Sequence, residues 1–195
     1  QLMFKGRPRP PGRGGGLLLA VGLGVGAALA VQVPVLFGVQ WAQDGDFFAR
    51  FFALLVLPFL AAFFLTRRRS SWRTIVAVGV PFVLTAAVLA LYPFAPGGAT
   101  LVLASTHAAV VLWLVTGIAY VNGRVGSSCA RMDFIRFTGE WVVYLALIAL
   151  GGGVLIALTV GVFAAIDIDV SRFVTDIMLP SGIAGAVIIA AWLVE

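Results

Sequence analysis

"LALIALGGGVLIALTVG", Leu145 to Gly161, holds no charged side chain and one hydroxyl, Thr159, in 17 residues. So long an apolar run without period-two alternation reads as a helix in hydrocarbon, where the backbone must satisfy its own hydrogen bonds, and not as a barrel strand. Five further runs share its character, giving Leu17–Val39, Phe47–Thr66, Thr74–Tyr92, Leu101–Val121, Gly139–Ile166 and Ile177–Val194. Each matches the roughly 20 residues that cross about 30 Å of hydrocarbon. The fold expected is all-α: a polytopic bundle of six transmembrane helices.

Composition agrees. A chain of 195 residues with 62% hydrophobic residues, 11% charge and a mean hydropathy of +1.10 has too little polar surface for a water-soluble globule. A pI near 10.4 would suit nucleic acid, but the basic residues sit in short clusters between apolar runs instead of along one solvated face, so no nucleic-acid partner is expected. Cys129 is the single cysteine and His107 the single histidine, which excludes an intrachain disulfide and a two-histidine metal motif; neither a metal nor a cofactor is expected. No nucleophile elbow, zinc-protease helix or phosphate-binding loop appears, so nothing positive marks an enzyme.

The connections fix an orientation. Lys5, Arg7, Arg9 and Arg13, then Arg67, Arg68, Arg69 and Arg73, then Arg124, Arg131 and Arg136 fall on one side, eleven of the thirteen basic residues. Arg50 and Arg172 fall on the other, with Asp44, Asp46, Asp167, Asp169 and Asp176. Positive charge stays on the cytoplasmic side, which places both ends there. Residues 1–16 read as a basic Pro/Gly-rich arm or linker, "KGRPRPPGRGGG" from Lys5, and residues 17–195 as the transmembrane domain. The arm's charges set topology, and each is worth about 1 kcal/mol against an anionic lipid surface. Because equally apolar segments follow, Leu17–Val33 reads as a spanning helix and not as a cleaved signal. Gln1 and Glu195 do not look like natural termini, so the chain reads as an excerpt of a longer protein.

Three consecutive glycines inside the fifth helix need a reason, since each costs roughly 1 kcal/mol against alanine in a helix interior. At a spacing of four, Ala149, Gly153, Ala157, Gly161 and Ala165 form a row of small residues, and Gly22, Gly26 and Ala30 in the first helix and Gly182, Ala186 and Ala190 in the sixth repeat it. Such rows let helix backbones approach closely, so these three helices are expected to pack on one another or on further helices. Gly151 and Gly152 lie off the row; close packing or a hinge at Gly151, Gly152 and Gly153 competes with a helix broken there to bind an ion. The phenylalanines of the second helix, Phe47 to Phe64, surround its circumference and predict lipid contact over much of it, and Pro58 and Pro81 predict kinks. Aromatic residues such as Trp41, Trp72, Tyr120, Trp141 and Trp192 fall near helix ends, as an interfacial belt does; Trp113, in mid-helix, does not.

Few residues could carry chemistry. His107, beside Ser105 and Thr106 in the fourth helix, is an ionisable group at membrane depth, satisfied by a helix carbonyl or else lining a polar path. Glu140 follows Arg136 by one turn and reads as a surface pair or a substrate-binding carboxylate. Asp167 and Asp169 are too few for a calcium site, and Val170, Phe173, Val174 and Ile177 predict a short interfacial helix capped by Asp169 or Ser171.

The last third, "FTGEWVVYLALIALGGGVLIALTVGVFAAIDID" from Phe137 and "LPSGIAGAVIIAAWLVE" from Leu179, resembles the bacterial membrane family called domain of unknown function 4153. Thr138-Gly139-Glu140, the Gly151–Gly153 triplet and the run from Gly182, Gly185 and Ala186 to Trp192 and Glu195 carry the resemblance. It implies a multi-pass protein of the bacterial inner membrane, longer than this chain, with no assigned reaction. The expected role is a membrane scaffold, sensor or assembly platform without chemistry of its own. The bilayer is its partner, with anionic lipid at the basic clusters and either further helices or domains of the same protein or further copies in a homo-oligomer. The alternatives are part of a transporter or channel, with a polar path near His107 and Glu140 and a broken fifth helix, and an intramembrane enzyme on lipid-linked substrate.

Overall fold

The computed structural model describes residues 13–39, 44–95 and 97–195, so most of the basic arm and Trp41 lie outside the described residues. Six helices are long and apolar enough to cross a bilayer, and no strand forms among the described residues. They are α1 (Arg13–Leu36), α2 (Gly45–Arg67), α3 (Trp72–Leu91), α4 (Ala99–Tyr120), α5 (Ser128–Ala164) and α6 (Ser171–Val194). Arg13–Gly16, assigned above to the arm, are the first turn of α1.

Four helices close the same way. After α1, α2, α4 and α5 a residue with positive φ (Gly38, Arg69, Asn122 and Asp167) lets the next amide reach back five residues, as in Val39 N–H to Pro34 O at 3.1 Å and Ile168 N–H to Phe163 O at 3.0 Å. This motif satisfies the last carbonyls where no further turn supplies donors. Serine opens two helices: Ser71 Oγ accepts from Thr74 N–H and Ser127 Oγ from Ala130 N–H, both at 3.4 Å. The Ser127 cap explains why α5 begins eleven residues before the expected Gly139 and reaches 37 residues, about 55 Å at 1.5 Å per residue and well beyond the hydrocarbon core.

The chain runs up and down. Arg68 meets Glu195 and Tyr120, which gathers the ends of α2, α4 and α6 at one end of the bundle. Asp46 meets Gly97, Arg50 meets Tyr92, and Gln32 meets Asp176, Ile177 and Ser181 at the other. The basic clusters of the connections therefore share one end, and Asp46 and Asp176 the opposite one.

The second helix sits at the centre, not in lipid. It packs against α1, α3, α4 and α6, and Phe48, Leu60, Phe63 and Phe64 are buried. The expectation of a lipid-facing α2 fails because burying apolar surface gives little drive in a bilayer. Association there rests on contact area, and a helix with large flat side chains all round offers contact in every direction. Trp113 belongs to the same aromatic packing, its ring 4.4 Å from that of Trp141 and 5.9 Å from Phe134. Pro58 and Pro81 lie within α2 and α3, which continue past them.

The most extensive contact joins α1 to α6, which run antiparallel. Its seam is Ala20, Gly24, Ala27 and Val31 against Ala184, Ile188 and Ala191, at alternating spacings of four and three. A Cβ on Gly24 would stand 3.8 Å from the Cα of Gly185. The close approach therefore uses Gly24 and Gly185. Of the residues expected to line it, Gly22 and Gly182 face open space, and Gly26 faces the Phe59 ring of α2, 2.9 Å from where its Cβ would be. Ala30 and Ala186 are half-buried. A four-residue row drifts around a 3.6-residue helix, whereas a four-three alternation stays on one face over the length of an antiparallel contact.

Candidate functional site

The polar groups inside so apolar a bundle number few, and local sequence decides the fate of most. Ser105 Oγ, Thr106 Oγ1 and His107 Nδ1 each lie 2.8–2.9 Å from the carbonyl one turn earlier, at Leu101, Val102 and Leu103. Thr116, buried, bonds Leu112 O at 2.9 Å in the same way, and Thr159 bonds Leu155 O at 2.8 Å. A short hydroxyl on a helix finds its own i−4 carbonyl before it finds a partner helix. His107 is exposed on the surface of the bundle. Arg136 and Glu140 form an i,i+4 pair at 3.8 Å with side chains 81% and 53% exposed. The structure does not bring His107 and Glu140 to a common site.

Gly151–Gly153 do not break the helix. The α5 backbone is helical through all three, and no atom stands within 4 Å of a Cβ added to any of them or to Gly161. An opened turn there would expose carbonyls to hydrocarbon, with only leucine and valine beside them. The row Ala149, Gly153, Ala157 and Gly161 is exposed along its length among the described residues, and Gly153 and Gly161 face open space. Instead α5 leans on the bundle through Trp141 and Leu145, both half-buried, and Trp141 Nε1–H donates to Val187 O of α6 at 3.0 Å.

Gln32 was missed. Its Nε2 donates to Asp176 O at 3.1 Å, Ile177 O at 3.3 Å and Ser181 Oγ at 2.8 Å, across the α1–α6 seam. Both carbonyls lie within a π-helical stretch, Val174–Met178, that precedes Pro180. Proline has no N–H to give to Asp176 O, and its ring crowds the preceding turn, so the turn widens and a neighbouring side chain supplies the donor. A primary amide in α1 and a proline in α6 are complementary defects, and only the fold brings them together. The expected interfacial helix from Ser171 is the first part of α6 itself. Asp169 Oδ1 accepts from Ser171 N–H at 2.9 Å, and the Ser171 hydroxyl first, then that amide, hold the Asp169 carboxyl below its ordinary range.

Two charged clusters close the bundle. At the basic end Glu195 receives Arg68 Nη2 at 2.6 Å and Arg67 Nε at 3.7 Å, while Arg68 lies over the Tyr120 ring and Arg67 over Phe63. At the opposite end Arg50 lies over the Phe51 and Phe94 rings, 5.2 and 4.7 Å from their centres, and donates to Tyr92 O at 3.1 Å. Asp46 Oδ2 accepts from Gly97 N–H at 2.7 Å. Between α2, α4, α5 and α6 a cleft of about 350 Å³ is walled by Phe52, Val56, Trp113, Trp141, Val187 and other apolar side chains. His107 and Glu140 line neither that cleft nor the smaller cavities beside Asp46 and Asp167. Among the described residues no three histidine, cysteine or acidic side chains gather to hold a metal ion.

Comparison with protein-family models, with curated proteins and with solved structures finds no match to this chain.

Proposed function

We propose that this chain is an assembly module of a bacterial inner membrane, with both ends in the cytoplasm, that docks a further transmembrane helix on α5 and performs no chemistry itself. One observation carries the reading. Across the most apolar 18-residue window of α5 none of the residues is buried within the chain, whereas the other five spans bury 22–39% of theirs. The longest helix is thus the least used, and its uncovered side carries the small residues Ala149, Gly153, Ala157 and Gly161. Close helix contact in lipid favours such a face, because small side chains let the backbones meet. The eleven-to-two distribution of basic residues supports the orientation, and residues 137–195 support the family likeness on the motifs quoted above. The transporter alternative loses its broken helix. Its two ionisable residues are also occupied locally, His107 by Leu103 O and Glu140 by Arg136.

Cysteine crosslinking in native membranes tests the proposal. With Cys129 replaced by serine, Ala157→Cys should form a crosslinked adduct and Leu155→Cys, on the opposite side of α5, should not. Gly153→Leu should abolish the adduct while leaving the fold intact. Equal crosslinking at both positions, or none at either, would remove α5 as a docking face.

A further inference from the structure

Asp46 and Arg50 stand one turn apart on α2, acid before base, the spacing and order that ordinarily make a favourable helix ion pair. They form none among the described residues. Each is drawn instead to the α3–α4 connection: Asp46 to the Gly97 amide and Arg50 to the Tyr92 carbonyl. Between them opens a cavity of about 190 Å³, lined by Asp46, Phe47, Arg50, Phe51, Phe94 and Leu101. That is room for roughly six water-sized groups, enough for a lipid headgroup and too little for a whole lipid.

The guanidinium carries five donors. One serves Tyr92 O, and Nε–H is shielded from solvent with no acceptor among the described residues. A cation beside two phenyl rings, with no carboxylate in contact among the described residues, calls for an anion. The cavity is not simply basic, however. Asp46 presents a carboxylate with one oxygen outside its Gly97 bond, so the lining is one positive and one negative group with aromatic walls. We propose that this cavity binds the phosphoethanolamine headgroup of a membrane lipid, its phosphate on Arg50 and its primary ammonium on Asp46. A headgroup with phosphate alone would meet Asp46 as a like charge, and a quaternary ammonium has no N–H to give the carboxylate.

The full chain, solubilised in detergent and offered matched-chain phosphatidylethanolamine and phosphatidylglycerol, is read by native mass spectrometry. The expected result is preferential retention of phosphatidylethanolamine. Arg50→Gln should lower retention of both lipids by about tenfold or more, the worth of one charge-assisted contact. Asp46→Asn should leave binding in place but bring the two lipids to about parity, and it tests the preference even where Arg50→Gln unfolds; far-UV circular dichroism of each variant reports the fold. Equal retention by the unaltered chain, an unchanged preference in Asp46→Asn, or undiminished binding in folded Arg50→Gln would overturn the proposal. Equal occupancy by water-soluble phosphoethanolamine would also overturn it, by removing the bilayer as the source.

Discussion

Replacing Gln32 with leucine keeps its bulk and removes the amide that serves α6 beside Pro180. Three contacts go, at 2.8, 3.1 and 3.3 Å. Interhelical hydrogen bonds in a bilayer average about 0.6 kcal/mol and reach about 1.7, and these three are part-buried or exposed. Gln32→Leu should therefore cost about 1–3 kcal/mol. If the demand comes from the missing proline N–H, Pro180→Ala should lessen it by giving Asp176 O an intrahelical donor. The double variant should then lose at least about 1 kcal/mol less than the sum of the singles, a coupling outside the roughly 0.3–0.5 kcal/mol scatter of independent sites. Reversible unfolding of the four proteins in mixed detergent micelles, followed by far-UV circular dichroism, measures all the terms. Additive losses would refute the idea that the amide and the proline compensate one another.

Other substitutions probe other contacts. A Cβ on Gly117 would stand 2.7 Å from the Phe134 ring, which Trp113, Tyr120 and Phe137 hem in, so Gly117→Ala should lose about 1–3 kcal/mol and lower the melting temperature in detergent. Gly24→Ala, at an ordinary 3.8 Å contact, should melt within a few degrees of the parent, while Gly24→Leu should part α1 from α6 and melt well below it. Glu195→Gln leaves Arg67 and Arg68 without their carboxylate, and a loss of about 1–2 kcal/mol, between the surface and buried limits, should show in the same melts. Asp169 has its folded pKa lowered by Ser171, so its stabilisation of the first turn of α6 is present at neutral pH and is lost as pH falls through that folded value. Hydrogen exchange over residues 167–176, corrected for intrinsic rates, should show protection falling in acid, and Asp169→Asn should remove that dependence.

The number of helices and the spans of the first four were legible because hydrocarbon imposes one length and one backbone solution, and charge clusters mark the turns independently, whereas the early start of α5 at Ser128 was not. Which helix lies inside was not. In water an all-round apolar helix announces its burial, but in a bilayer it is equally at home in lipid, so the phenylalanines of α2 suggested the wrong surroundings. Small residues mark close contacts without fixing their face: Gly24 and Gly185 meet, while Gly22 and Gly182, two or three positions away, touch nothing. His107 drew attention as an isolated ionisable group and proves to be bonded to its own helix. Gln32, less conspicuous in composition, joins two helices because its partner is a defect 148 positions on, at Pro180, which only the fold brings near.

The most direct test of the account is a nitroxide scan along α5 in native membranes, reading collisions with oxygen dissolved in the lipid. Probes at Ala149, Gly153 and Ala157 should be shielded, and probes at Leu147, Leu155 and Leu158 freely accessible. Equal accessibility all round the helix would mean that only lipid covers the small-residue face, and α5 would then be no docking surface.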